Sequence, residues 1–317
     1  MGGPDMRSLS ELSTAYALML IFLSVVPAVS QPGVDSTVET IVRRSVEEVA
    51  LSFTVTDSRG ALVDDIGVQN IEVLDNGQPI REFTSFRRDS DLPLRLGLLV
   101  DLSDSTAKAF NVEQHIAIAL LEHILRPQSD EAFVLGFTQT SNARVQSEHH
   151  AAGLIDVLSK FRPGGQTALY DAIVQGTTQE LMRRHEPQPV RRVIVLLSDG
   201  EDNDSWRTAG QAIEEAQSDD IAIYAISVRR KGYGSQGDDA AQRLTTETGG
   251  RVFLLDKYDG NAEVFSGVEQ QLRGRYTLTY RRADAPAAGG FHEVRILILS
   301  EKKLRAHYRK GYDAPTY

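Results

Sequence analysis

Residues 94–106 read LRLGLLVDLSDST, an apolar run from Leu96 to Val100 that stops at Asp101 and continues through Ser103, Asp104 and Ser105. A second run, Val193 to Leu197, stops in the same way at Asp199 in VIVLLSDGEDND (193–204). Apolar runs of this kind, partly β-branched, read as parallel strands buried on both faces. The loops at the carboxyl ends of such strands are where an open α/β sheet places its ligands. Between the two runs, GGQTALYDAI (164–173) adds Thr167 behind a pair of glycines. Asp101, Ser103, Ser105, Thr167 and Asp199 thus make an all-oxygen set of two carboxylates and three hydroxyls. Such a set suits Mg2+ or Mn2+ rather than zinc, and it also accepts Ca2+, because geometry and not ligand type separates these ions.

Working outward, strand and helix patterns alternate from residue 93. A helix is expected near 110–125, with Val112, Ile116, Leu120 and Ile124 at helical spacing, and Leu169, Ala172, Ile173 and Gly176 mark the buried face of another. The last helix carries Val264, Phe265, Val268 and Leu272. This succession predicts five or six parallel strands with helices on both faces, a doubly wound α/β sheet over 93–273. The flanks are different. Val49, Leu51, Phe53 and Val55 alternate with period two, and Asp75-Asn76-Gly77 between IEVL and QPIREF is a type I′ hairpin signal. Beyond Gly274, Tyr276, Leu278 and Tyr280 alternate again, as do Val294, Ile296 and Ile298. Residues 38–90 and 275–315 are therefore expected to form one smaller all-β sandwich from both ends of the chain, with the α/β domain inserted between them.

Composition narrows the function. The chain has 317 residues, 34 basic against 44 acidic, for a net charge of −10. That balance disfavours nucleic acid and anionic lipid. Tyr16 to Val29 is apolar, too short for a comfortable membrane span, and it ends in Ala28-Val29-Ser30. Residues 1–30 read as a signal peptide cleaved near Ser30/Gln31, which places the protein in the envelope or outside the cell. An uncleaved N-terminal anchor is the other reading and the only membrane attachment considered. There is no cysteine, so neither disulfides nor a lipid-modified cysteine hold the chain.

The D-x-S-x-S … T … D pattern resembles the metal-ion-dependent adhesion site of von Willebrand factor A-type domains over roughly residues 93–272. The stretches VTDSRGALV, IEVLDNGQPIREFTSF, PLRLGLLVDLSDS, LRGRYTLTY, GGFHEVRILI and LRAHYRKGYDAP are similar to the acidobacterial VWFA-related secreted proteins. The resemblance implies a cation held directly by hydroxyls, with the aspartates often acting through water. An ion held mainly by neutral oxygens keeps much of its charge and can accept an Asp or Glu carboxylate from a protein partner. It also implies that Gly164-Gly165 let the Thr167 loop move, and that such movement is coupled to the last helix. That helix runs into the sandwich strand, so ligand binding is expected to tilt one domain against the other.

Two residues depart from the family pattern: Asp104 stands where Gly is common, and Thr106 replaces a hydrophobic residue. With Glu201, Asp202 and Asp204, Asp104 is expected to make an acidic rim, which also includes Gly165. Trp206 reads either as loop packing or as an apolar contact on that rim. Catalysis finds little support, because no His or Lys base stands near the loop serines in the sequence and no G-x-S-x-G elbow exists. A binding module is expected, with a metal-stapled structural scaffold as the alternative and a metal-dependent hydrolase as the weaker one. Gly232 to Gly237 matches G-x-G-x-x-G but follows the wrong strand for a dinucleotide site. No nucleotide is therefore expected.

Overall fold

Strands and helices alternate through the centre of the chain because each apolar run is followed by a helix with one apolar stripe. In a computed structural model, residues 48–139, 146–148, 150–182, 186, 188–227, 236–255, 262–282, 290–300 and 303–314 are described. Ser45–Tyr317 form one compact unit. The proposed signal segment lies outside the described residues, as does most of the Gly232–Gly237 stretch.

In chain order the elements are β1 (Glu48–Thr56), β2 (Ile71–Asp75), β3 (Gln78–Ile80), β4 (Phe83–Arg88), β5 (Leu94–Asp101), α1 (Phe110–Ile124), β6 (Glu131–Phe137) and β7 (Gln146–Glu148). They continue with α2 (Ala151–Ser159), α3 (Leu169–Gln175), β8 (Arg191–Leu197), α4 (Ala209–Ser218), β9 (Ala222–Ser227), α5 (Gln236–Glu247), β10 (Val252–Leu254) and α6 (Ala262–Arg273). The last strands are β11 (Tyr276–Arg281), β12 (Gly290–Ile298), β13 (Arg305–Tyr308) and β14 (Gly311–Ala314).

The central sheet has the order β10-β9-β8-β5-β6-β7. Its first five strands are parallel and β7 is an antiparallel edge. Both faces are covered. Leu96, Leu98 and Val100 of β5 pack with Ile116 and Leu120 of α1, Leu154 of α2 and Phe265 of α6. Leu99, one residue out of step, joins Phe133 and the helices α3, α4 and α5 on the other face. This double burial is why the strands read as continuous apolar runs. Each large aliphatic side chain buried here contributes about 1.5–3 kcal/mol. Gly97 is part of the same packing, since a Cβ there would lie 2.6 Å from the Phe133 ring. In α1 the expected stripe holds at Ile116, Leu120 and Ile124, but Val112 is exposed and Ala117 and Leu121 are buried. The buried arc is rotated because the helix must cover both β5 and α6.

The flanks pair as two four-stranded sheets, β13-β1-β11-β4 and β14-β12-β2-β3. Leu51 faces Leu278 and Phe53 faces Tyr276 across β1 and β11. Val73 faces Ile296 across β2 and β12. In the first sheet β11 lies between β1 and β4, so strands from before the α/β domain meet only through one from after it. Val49, Leu51, Phe53, Val55, Tyr276, Leu278, Tyr280 and Ile296 share one core. The Asn76-Gly77 turn has φ of 47° and 76°, the left-handed values that a type I′ turn requires.

Candidate metal centre

Two loops leave the carboxyl ends of β5 and β8, a third joins α2 to α3 beside them, and hydrogen bonds lace the three together. Asp101, the last residue of β5, is fully buried. Its Oδ1 accepts from the Ser103 amide at 2.9 Å and its Oδ2 from the Ser198 hydroxyl at 2.7 Å. The Ser103 and Ser105 hydroxyls lie 3.0 Å apart. Thr106 is buried, and its hydroxyl donates to the Asp101 and Ser103 carbonyls at 3.2 and 3.0 Å. A hydrophobic residue at this position would leave those two carbonyls without that donor.

The second loop joins the first through backbone bonds. Asp104 N donates to Gly165 O at 2.9 Å, and Gly164 N to Leu102 O at 2.6 Å. Gly165 is required where it stands: its φ is +107°, and a Cβ would come within 2.3 Å of Gln139 Oε1. Thr167 is 1% exposed, and its amide donates to Asn203 Oδ1 at 2.9 Å. The Asn203 and Asp204 amides in turn both donate to Thr167 O at 3.0 Å. Gly164 N, Gly165 O and both backbone groups of Thr167 are thus engaged, so any movement of this loop would break bonds to the loops on either side.

The rim differs in part from expectation. Asp104, Glu201 and Asp204 are exposed, as an acidic rim requires. Asp202 turns inward instead, and its Oδ1 accepts from the Leu169 amide at 2.8 Å at the start of α3. A carboxylate there satisfies the open amides of a helix N-terminus. Trp206 is 94% exposed, so it does not pack the loop. Its backbone is nevertheless held, because the Trp206 and Arg207 amides donate to Asp171 Oδ2 and Oδ1 at 3.0 and 2.9 Å.

One acidic residue was not anticipated. Glu113, in the first turn of α1, is 5% exposed, and its Oε2 has no hydrogen-bond partner. Burial, then the charges of Asp101 and Asp199, push its carboxyl up to about 8. Burial also raises Asp101, with a further push from Asp199, against hydrogen bonds from Ser103 and Ser198. Among the described residues, no Lys, Arg or His side chain pairs with either carboxylate. The signal was present in the sequence: Glu113 shares a helical face with Ile116, Ala117 and Leu120.

The residues therefore fit a hard cation. Asp101 and Asp199 repel one another, and the Ser103 and Ser105 hydroxyls offer neutral oxygens beside them. Among the described residues, no three His, Cys, Asp or Glu side chains gather as a metal cluster. A cation here would rely on hydroxyls as well as carboxylates. No described helix is long and apolar enough to cross a membrane.

Comparison with known proteins identifies the domain that carries these loops. The family model of the von Willebrand factor type A domain matches residues 96–267. No curated protein gives a significant match. Among solved structures, a conserved hypothetical protein, BatB, from Bacteroides thetaiotaomicron is 16% identical, with 56% of this chain and 97% of that one covered and a TM-score of 0.46. A von Willebrand factor type A protein from Catenulispora acidiphila is 9% identical, with 86% and 74% covered and a TM-score of 0.47. Proximal thread matrix protein 1 of the mussel byssus, in a form with a zinc-occupied MIDAS motif, is 15% identical. There 62% of this chain and 50% of that chain are covered, with a TM-score of 0.47.

Proposed function

This chain belongs to the von Willebrand factor type A domain family, and from that premise we propose that it is an exported, metal-dependent binding module. Asp101, Ser103, Ser105, Thr167 and Asp199 would hold one divalent cation, Mg2+ or Mn2+ with Ca2+ admissible. When bound, that ion would supply a coordination position for an Asp or Glu carboxylate of a protein partner.

The observation that supports this most is Asp101: a buried carboxylate beside Asp199, with the paired serine hydroxyls next to it and no cationic side chain bonded to it among the described residues. A cation is the simplest neutraliser of such a group. The protein's own residues do the positioning. Ser198 and the Ser103 amide fix both Asp101 oxygens, Asn203 fixes Thr167, and Thr106 ties the turn between the serines. The rim would choose the partner: exposed Asp104, Glu201 and Asp204 disfavour a broadly acidic surface, while exposed Trp206 offers one apolar anchor. A single carboxylate in an otherwise neutral or apolar epitope fits both demands.

The test measures Mn2+ and Mg2+ binding by calorimetry, then partner recovery from envelope extract in Mn2+, in EDTA and with Asp199→Ala. Saturable binding, together with a partner lost in both EDTA and the variant, supports the module. A partner held equally in all three would move recognition to the sandwich and leave the metal as a staple.

A further inference from the structure

At the opposite end of the parallel sheet from the metal loops, three arginines converge on a pocket of about 20 Å3. The α/β side supplies Arg191 from the start of β8, Asp220 and Ala222 around the start of β9, and Thr248-Gly249 after α5. The sandwich side supplies Ser52 to Thr54 of β1, Arg275 and Arg309. Arg191 is 2% exposed and makes one side-chain hydrogen bond, Nη2 to the Tyr224 hydroxyl at 3.0 Å. Its Nε and Nη1 have no hydrogen-bond partner, and neither do Arg275 Nε and Arg309 Nε.

The nearby carboxylates do not balance this charge. Asp220 Oδ2 is taken by Arg275 Nη2 and by the Ser52 hydroxyl. Asp89 is bonded by Arg87 Nε at 2.7 Å and by Thr277, with Arg275 Nε 3.8 Å away. Arg309 spends its other nitrogens on the Gln217 and Ala50 carbonyls. No carboxylate bonds Arg191. A buried guanidinium with two idle donors is costly unless something accepts from it. Burial pushes Arg191 down only to about 10, so it stays charged at neutral pH.

We propose that this seam is an anion site, with Arg191, Arg275 and Arg309 donating to one chloride ion that joins the two halves of the fold. Size selects the ligand. A single water needs roughly 10–15 Å3, so a pocket of about 20 Å3 matches one monatomic anion better than a phosphate or sulfate. The ligand touches both the α/β domain and the sandwich, so it stabilises their packing and not the metal loops.

The experiment is thermal unfolding of the full chain in sodium chloride, bromide and gluconate at matched ionic strength and pH, with EDTA present throughout. A saturable Tm rise on the order of 5 °C in chloride and bromide over gluconate is expected once the halide is about 100-fold above its Kd. Arg309→Gln and Arg191→Met should each abolish the halide dependence; the first removes a part-exposed side chain, so the test stands even if the second fails to fold. A bromide-soaked crystal should show an anomalous peak between Arg191 and Arg309. Equal Tm in all three salts, a halide effect retained by Arg309→Gln, or no peak would overturn the proposal and leave water as the occupant.

Discussion

Arg273, the last residue of α6, donates through Nη2 to Asp130 Oδ2 at 2.5 Å, and the two side chains are 6% and 0% exposed. Asp130 also accepts from the Leu94 and Arg126 amides at 2.8 and 2.9 Å, so one carboxylate pins α6 to the feet of β5 and β6. Burial pushes this carboxyl up, but the bonds from Arg273, Leu94 and Arg126 outweigh it and hold it below its ordinary value. Arg273→Met removes the guanidinium from that buried charge and should cost about 3–5 kcal/mol in urea unfolding. Because the folded pKa is depressed, the pair's contribution is present above the unfolded carboxylate pKa and is lost as pH falls through the folded one.

The same clamp bears on domain motion. Gln271 and Arg251 both donate to Gly60 O, at 2.8 and 3.0 Å, fastening α6 and the β10 edge to the turn after β1. A tilt of the sandwich on ligand binding would have to break these bonds. Interdomain distances by spin labelling are expected to change by less than about 2 Å on adding Mn2+ and partner, the scale of small helix shifts at interfaces. A larger change would show that the clamp yields.

Glu113 sets a pH response. Its folded pKa of about 8 lies above its ordinary 4.5, so its contribution is full below the ordinary value and is lost as pH rises towards 8. In EDTA the stability should therefore decline between those two pH values, with a slope approaching about 1.4 kcal/mol per pH unit. Glu113→Gln should flatten the decline. Parallel curves for variant and wild type would show that another group carries it.

In the sandwich, Asp75 is buried and accepts from Tyr280 and Tyr312 hydroxyls at 2.7 Å each, with His292 Nδ1 2.8 Å away. Asp75 belongs to the leading flank and its three partners to the trailing one. Asp75→Ala should cost about 2–4 kcal/mol, since it strands two buried polar groups, Tyr280 and His292, and the half-buried Tyr312 hydroxyl. Pulse proteolysis should then cut the flanks before the central sheet.

Trp206 separates recognition from folding. With the side chain 94% exposed, Trp206→Ala should leave the unfolding midpoint within about 0.5 kcal/mol of wild type while weakening partner capture at least tenfold. Unchanged capture would remove it from the rim.

Much of this was legible in the chain because the signals are local. A strand buried on both faces is apolar along a continuous run, Leu96 to Val100 in β5 and Val193 to Leu197 in β8, so both stand out in the sequence, and the polar residues that follow mark the loops. The Asn76-Gly77 turn is legible for the same reason, since few other pairs accept its backbone angles. Asp202 and Glu113 were misjudged or missed because their roles depend on which neighbour each faces. An Asp in an acidic loop looks solvated until a helix N-terminus is brought against it. A Glu on a helix looks surface-borne until the Asp101 loop closes over it.

The sheet, its helices, the two β flanks and the order of the oxygen-bearing loops follow from residue periodicity within single elements and can be read from the chain alone. Only the tertiary structure decided that β11 inserts between β1 and β4, that Ser198 and Asn203 orient the site, and that Arg191, Arg275 and Arg309 share one pocket. Each of these joins residues far apart in sequence, and no local pattern specifies a meeting that depends on how separate elements pack.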